Sequence, residues 1–307
     1  MDFDEYQRRA CTTDQNPQPE DAVGDVSRDP RRHEVIPLLG LVGEVGGLLG
    51  EYKKLLRDGV THRKFREEVA EELGDILWYV ANVAAKFDLS LSEIAGQNLA
   101  KVGDRWRRPD QTRTLYDEHL PENQRLPRRF EYGFEQQSID GVEKMVLVDR
   151  LAGGATGAAL TDNAYEDDGY RFHDVVHLAF AACLGWSPVL RKLLRMKKQL
   201  VHRTPREVDE VEDGGRAQVI EEAIVAAAYV YAANHSYLDG ADAVDWQLLR
   251  HIKQLTSHVE VRNRTAKEWN DALLLGFSVW RRLREHGAGT ARGDLLAGTI
   301  EFIPAHR

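Results

Sequence analysis

The chain has 307 residues, of which 42% are apolar, so it is long enough to bury one large core or the cores of two domains. Its 50 acidic and 41 basic residues give a formal net charge of −9, which argues against tight binding to the backbone of a nucleic acid. The two cysteines, Cys11 and Cys183, have no CxxC spacing and predict a reduced protein without a structural disulfide.

The N-terminus and the longest apolar run bear on the cell compartment. The first residues, MDFDEYQRR, are charged where a signal peptide needs an apolar segment. The longest apolar run, residues 223–233, is well short of the roughly 20 residues that span a bilayer, so it predicts a buried helix. We therefore expect a cytoplasmic protein that does not span or bind a membrane.

Apolar residues recur at helical spacing through the first third of the chain. They predict helices over residues 33–57 and 61–86, and a third helix that begins at Ser90 with capping-box spacing. Together these segments predict a compact helical domain over residues 1–107. Five glycines in GLVGEVGGLLGEYKK (40–54) disfavour a helix by about 0.5–1 kcal/mol each, and predict the close approach of a neighbouring helix or ligand.

The helical pattern breaks in residues 108–164. Prolines among charged and amide side chains predict a linker, and the alternation in RRFEYGF and KMVLVDRL predicts a small β-hairpin near 128–151, followed by a flexible AGGATGAA segment. Helical periodicity returns in residues 165–307 and predicts a second helical domain. The expected fold class is all-α, with two helical-bundle halves joined by this linker.

Acidic side chains lie together on the second predicted helix. Glu68, Glu72 and Asp75 are spaced to share one face, with Glu71 beside them. Such a stripe is often simply solvated, but this helix continues into the apolar ILWYVANVAA, and Glu44 is similarly embedded among leucines and valines. Carboxylates in a partly dry cleft must protonate or bind cations, and oxygen ligands alone favour Mg²⁺, with Mn²⁺ as the alternative.

Three segments in this order, GLVGEVGGLLGEYKK, EELGDILWYVANVA and NLAKVGDRW, resemble the all-α nucleoside triphosphate pyrophosphohydrolases of the MazG-like and dimeric dUTPase group. The resemblance covers about residues 1–107. It implies a bundle of paired units that cleaves nucleoside triphosphates to monophosphate and pyrophosphate, with Mg²⁺ held by an ExxE and an ExxD motif. The ExxD motif is present as Glu72 and Asp75, whereas the ExxE motif has Glu44 in its first position and Gly47 in its second.

The missing glutamate of the first motif would have to be replaced by a nearby carboxylate. Tyr79, Asn98, Lys101 and Arg105 are expected at the nucleotide by the resemblance, although two cations at a helix C-terminus are also favourable without a ligand. The predicted metal ligands are Glu44, Glu51, Glu72 and Asp75; the residues that orient or deprotonate the attacking water are Glu68 and Glu71; the nucleotide contacts are Lys54, Tyr79, Asn82, Asn98, Lys101 and Arg105.

The two halves share a sequence pattern. VIEEAIVAAAYVYAANHSYLDG (219–240) follows VAEELGDILWYVANVAAKFDLS (69–90), but Val225 replaces the aspartate of the second motif. A complete second copy of the site is therefore not expected. The simplest hypothesis is a degenerate repeat that makes the chain a pseudo-dimer; the alternative assembly is a homo-oligomer.

A different metal site in the second half is the competing hypothesis. Histidine and carboxylate at helical spacing can share one ion, and imidazole shifts the preference toward Zn²⁺, Mn²⁺ or Fe²⁺. An HD-domain phosphohydrolase would need a further histidine and aspartate that the sequence does not identify. The candidate ligands of this second site are His173, Asp174, His177, Glu221 and Glu222.

The leading functional hypothesis is a Mg²⁺-dependent pyrophosphohydrolase whose substrate is a nucleoside triphosphate. Because Gly47 and Val225 interrupt the motifs, the alternative is a catalytically impaired nucleotide-binding or protein-interaction module. A third hypothesis is a helical scaffold whose acidic stripe binds nothing.

Overall fold

The structure is a computed structural model that describes residues 1–15, 32–106, 115–122, 125–162, 164–194 and 215–305. The chain divides into two compact units, Met1–Gly103 and Asp104–Arg307. Residues 108–114 of the predicted linker lie outside the described residues.

The N-terminal unit consists of helices in its described residues. They are α1 (Phe3–Cys11), α2 (Arg32–Asp58), α3 (Phe65–Lys86) and α4 (Leu91–Trp106), of which α4 ends just inside the second unit. α2 packs along α3, α1 packs on α3, and Ala10, Ala81, Ala84 and Leu91 form a small core. α2 and α3 coincide with the helices predicted from apolar spacing, which is a signal internal to each segment.

α2 exposes much of its apolar surface. By length and composition alone, His33–Thr61 is also long and apolar enough to cross a membrane, although its glycines and charged residues leave it without one long unbroken apolar run. One such helix is weak evidence for a membrane-spanning segment. In this structure α2 packs on α3, and carboxylates of α2 lie near Glu72 of α3. The exposed apolar residues of α2, called here the α2 stripe, are Val35, Leu38, Leu39, Val42, Val45, Leu49, Tyr52 and Leu56.

The second unit contains a five-stranded antiparallel sheet, so the all-α prediction is wrong. Its strands are β1 (Arg129–Ile139), β2 (Val142–Asp149), β3 (Ala155–Leu160), β4 (Gly289–Asp294) and β5 (Thr299–Ile303), in the order β3-β2-β1-β4-β5. β1 and β2 form a hairpin that turns at Asp140 and Gly141, both with positive φ. β4 pairs with β1 from 165 residues away, as in the Arg129–Asp294 contact, and local periodicity cannot reveal such pairing.

The second unit also contains α-helices in its described residues. They are α5 (Asp174–Leu184), α6 (Pro188–Leu193), α7 (Arg216–Ala233), α8 (Trp246–Leu255) and α9 (Ala266–His286). α5 and α9 pack on each other and on β4 and β5, around the fully buried rings of Trp269, Trp280, Phe180 and Phe277. Gly276 allows the close approach, because a Cβ there would lie 3.0 Å from Ala179 Cβ.

The mixed architecture also corrects the prediction of a second helical bundle. Residues predicted as a linker with an isolated hairpin and a flexible segment supply three strands of the sheet. The short strands β4 and β5 were not predicted, since five or six residues carry little periodic signal. The internal duplication stays a hypothesis about the α3 and α7 segments only.

Candidate functional site

The α2–α3 pair gathers the predicted carboxylates around Glu72. Desolvation, and then the negative charges of Glu44, Glu51, Asp75 and Glu71, raise the pKa of the Glu72 carboxyl above its usual range. Its Oε2 atom is shielded from solvent and has no hydrogen-bond partner among the described residues. A carboxylate in such surroundings must take up a proton or a cation, and oxygen donors from two helices fit a hard divalent ion.

Gly47 explains why Glu72 occupies this position. A Cβ on Gly47 would lie 2.2 Å from Glu72 Oε2 and 2.6 Å from its Cδ, closer than real Cβ contacts allow. Gly40 similarly makes room for the ring of Tyr79, whose Cε1 and Cζ would lie 2.3 Å from a Cβ. A Cβ on the other three glycines of α2 would meet nothing within 4 Å, so the expected close approach occurs at two of the five positions.

Glu51 is paired with Lys54 and His62 instead of being left without partners. Its side chain is buried, accepts a hydrogen bond from Lys54 Nζ, and lies 2.9 Å from His62 Nε2. The Lys54 hydrogen bond, together with His62, lowers the pKa of the Glu51 carboxyl. Lys54 is also close enough to Glu68 and Glu72 for their charges to raise its pKa. Glu51, predicted as a metal ligand, and Lys54, predicted as a nucleotide contact, therefore both lie at the carboxylate cluster but are paired with each other.

His62 was not predicted as a site residue from the sequence. This residue follows the short 3₁₀ turn Gly59–Thr61 between α2 and α3, and its ring also lies edge-on to Phe65. Because the turn alone brings it back over the last part of α2, no spacing pattern in the sequence marks it as a site residue.

Four of the predicted nucleotide contacts lie in different surroundings. Asn82 is buried, donates from Nδ2 to Trp78 O at 2.9 Å, and has no partner for Oδ1 among the described residues. Asn98 and Lys101 are exposed on α4. Arg105 belongs to the second unit, where its guanidinium lies over the rings of Trp106 and Trp246 at 4.7 and 5.6 Å.

A second cluster lies at the start of α5. One ligand atom from each of His173, Asp174 and His177 lies within 4.8 Å of the other two. His173 Nδ1 donates to the Tyr170 carbonyl at 2.8 Å, and the two rings stack with centroids 4.3 Å apart. The 3₁₀ turn Tyr170–Phe172 places that carbonyl directly before the helix, so the local fold orients the His173 ring.

Carboxylates lie on both sides of the buried His177 ring. Its Nδ1 atom lies 2.9 Å from Glu221 Oε1, and its Nε2 atom lies 3.4 Å from Glu222 Oε2. Burial opposes the charged imidazole, but Glu221, Glu222 and Asp174 raise the pKa of His177 to about 10. Glu221 also accepts from Ser187 Oγ at 2.7 Å and from Val189 N at 2.8 Å, which satisfies both of its oxygens. All five predicted residues of this second site thus lie together.

Comparisons with known proteins found one family match and one similar protein. The chain matches the family described as the MazG C-terminal domain over residues 111–306. It is also similar to the Gene 37 protein of Mycobacterium phage L5, with 44% identity over 69 residues, which are 22% of this chain and 60% of that relative. The chain thus spans less than two thirds of that relative's length. No solved structure matches the chain. Since the family match extends over more than half of its residues, the chain belongs to the MazG C-terminal domain family.

Proposed function

We propose that the protein is a Mg²⁺-dependent nucleoside triphosphate pyrophosphohydrolase that releases nucleoside monophosphate and pyrophosphate. The observation that carries the proposal is the shielded Glu72 oxygen, without a hydrogen-bond partner among the described residues and surrounded by four further carboxylates. Membership of a MazG family supports a pyrophosphohydrolase-like role, and the resemblance of residues 1–107 to the same enzymes supports the position of the site. The family match itself lies outside the carboxylate cluster.

Each group at the cluster has a chemical task in this proposal. Glu44, Glu72 and Asp75 would hold Mg²⁺, or Mn²⁺ in its place, with Glu51 as a further ligand once Lys54 moves from it to the substrate. A metal bound there would neutralise phosphate charge and lower the pKa of the attacking water. Glu68 and Glu71 flank the ligands and are the candidates to accept the proton of that water.

The nucleotide would lie beyond the carboxylates along α3. Tyr79 lies against Gly40, and the buried Asn82 Oδ1 can accept a hydrogen bond from a base or a sugar. Lys54 supplies positive charge next to the metal ligands, where the triphosphate needs it. Asn98 and Lys101 stay predicted contacts on α4.

We also propose that the enzyme works as a homo-oligomer. The α2 stripe is a continuous apolar surface of the kind that marks an interface. Its burial by a second copy would also shield the neighbouring carboxylates from water. Light scattering of the parent chain and of a Leu39→Glu, Leu49→Glu variant tests this, and a monomeric parent would contradict it.

Pyrophosphate release from a panel of canonical, deoxy and modified nucleoside triphosphates tests the function. With Mg²⁺ and then Mn²⁺, the parent should release pyrophosphate, and Glu72→Gln should lower the rate at least about 100-fold, since even groups behind a metal ligand are worth about 10–100-fold. Glu67→Gln is the matched control, because it removes the same charge from an exposed position of the same helix. Unchanged hydrolysis by Glu72→Gln would refute the site.

A nucleotide-binding module without catalysis is the second candidate, favoured by the Lys54–Glu51 pair and by Gly47. Calorimetric binding of a nucleoside triphosphate without pyrophosphate release, at saturating Mg²⁺ or Mn²⁺, would establish it. A glutamate introduced at Gly47 would not simply restore a ligand, because its Cβ would displace the Glu72 carboxylate.

A further inference from the structure

We propose that the second unit holds a separate binding site for one divalent transition-metal ion of the Zn²⁺, Mn²⁺ or Fe²⁺ class. The ligands are His173 Nε2, His177 Nε2 and the carboxylate of Asp174, with Glu222 as a fourth donor. This inference does not depend on the proposed pyrophosphohydrolase activity, because it uses none of the residues of the α2–α3 cluster.

His177 is the strongest evidence for the site. The side chain is 1% exposed, and its Nε2 atom has no hydrogen-bond partner among the described residues. Its Nδ1 faces a carboxylate oxygen of Glu221, which can only accept, so Nδ1 carries a proton. In the neutral ring the lone pair is then on Nε2, which lies 3.4 Å from a carboxylate oxygen of Glu222. A lone pair and a carboxylate oxygen this close repel each other, so a positive charge must lie between them, either a proton on Nε2 or a metal ion.

The hydrogen bond of His173 also leaves its Nε2 atom available to a metal ion. Its Nδ1 donates to the backbone carbonyl of Tyr170, which also can only accept, so its lone pair is likewise on Nε2. That Nε2 atom lies 3.6 Å from Asp174 Oδ1. The stack with Tyr170 fixes the ring plane and lowers the entropy that would be lost when a ligand binds.

Glu221 acts as a positioning residue behind His177. Histidines that bind metals usually donate their other ring nitrogen to a carboxylate or a backbone carbonyl, which sets the tautomer and the orientation. Glu221 is fully buried and held by Ser187 and Val189, so it cannot turn away from the histidine. Both arrangements, carboxylate behind His177 and carbonyl behind His173, thus occur within one cluster.

The donor set decides the class of metal. Two imidazole nitrogens with carboxylate oxygens favour first-row transition ions over Mg²⁺, which prefers oxygen alone. Three donors within 4.8 Å of one another need only small rotations to share one ion at about 2.0–2.2 Å. The Glu222 side chain is 52% exposed, so the site is open to solvent on that side and resembles catalytic sites more than closed structural ones.

The test uses the full chain carrying Glu72→Gln, which removes the proposed Mg²⁺ site from the measurement. The metal-stripped protein is titrated with Co²⁺, followed by its visible absorption, and with Zn²⁺ and Mn²⁺ by calorimetry. We expect one equivalent to bind, and His173→Gln and Asp174→Asn to weaken binding by at least about tenfold. His258→Gln removes an exposed histidine elsewhere in the unit and should bind like the parent.

The His173 and Asp174 side chains are 13% and 15% exposed, so their variants should fold, and circular dichroism can verify this. A change in metal affinity can then be assigned to the site itself. Absence of Co²⁺, Zn²⁺ and Mn²⁺ binding at micromolar concentrations would overturn the proposal, leaving His177 as an imidazolium paired with Glu221 and Glu222. Equal affinity in parent, His173→Gln and Asp174→Asn would overturn it as well. Loss of binding in both variants, with the His258→Gln control unchanged, would establish the site.

Discussion

Replacing Glu221 with alanine tests whether the second unit is stabilised by its buried carboxylate. The side chain is fully buried and accepts hydrogen bonds from His177 Nδ1, Ser187 Oγ and Val189 N. These donors connect α5, α6 and α7, so one side chain joins three helices. The substitution leaves all three donors without their acceptor.

The expected loss follows from those donors. A buried donor left without an acceptor costs about 1–3 kcal/mol, and water entering the space left by Glu221 recovers part of that. For three donors we expect a loss of about 3–6 kcal/mol, which is a large share of the roughly 5–15 kcal/mol typical of a folded domain. The midpoint of thermal unfolding should then fall by roughly 6–24 °C in a unit of this size.

Urea unfolding in the presence of EDTA, followed by tryptophan fluorescence, measures the effect without any bound metal. Trp186, Trp269 and Trp280 are buried in the second unit and report its unfolding. Glu222→Ala is the control, since this neighbouring glutamate is half-exposed, and it should cost less than about 1 kcal/mol. If Glu221→Ala unfolds within about 1 kcal/mol of the parent, the three hydrogen bonds do not have the assigned role.

Gly47→Ala should fold normally but displace the Glu72 carboxylate, and calorimetry should show Mg²⁺ binding weakened at least about tenfold. Gly43→Ala is the control and should bind Mg²⁺ like the parent, because a Cβ there meets nothing within 4 Å. Equal Mg²⁺ affinities of the two variants would contradict the proposed cluster. Burial raises the pKa of Glu260 from 4.5 to about 7, so the folded chain keeps a proton that the unfolded chain releases, and stability should fall between pH 4.5 and 7. Glu260→Gln should remove this slope and raise the unfolding free energy at pH 8 but not at pH 4, as urea titrations at both pH values can show. Gly276→Val should cost about 1–3 kcal/mol in the same assay, since its side chain would push α5 from α9, and a neutral result would contradict that packing.

The sequence by itself determined the features that depend on neighbours along the chain. Helical periodicity predicted α2 and α3, and the spacing of Glu68, Glu72 and Asp75 put three carboxylates on one face of α3. The same reasoning identified His173, Asp174 and His177 as a group, because residues one turn apart on a helix are close whatever the rest of the fold does.

Only the tertiary structure decided the features that depend on distant partners. The sheet joins β1 to a strand near the end of the chain, so no local signal could exclude an all-α fold. Glu221 and Glu222 are adjacent in sequence, yet one is fully buried behind His177 and the other is half-exposed, because the packing of α5 and α6 on α7 selects one face of that helix. In the sequence, Gly47 stands where a metal ligand was expected. In the fold, the absence of a side chain at Gly47 leaves room for the Glu72 carboxylate of the neighbouring helix. The sequence of one helix cannot reveal this, because the contact depends on how two helices pack.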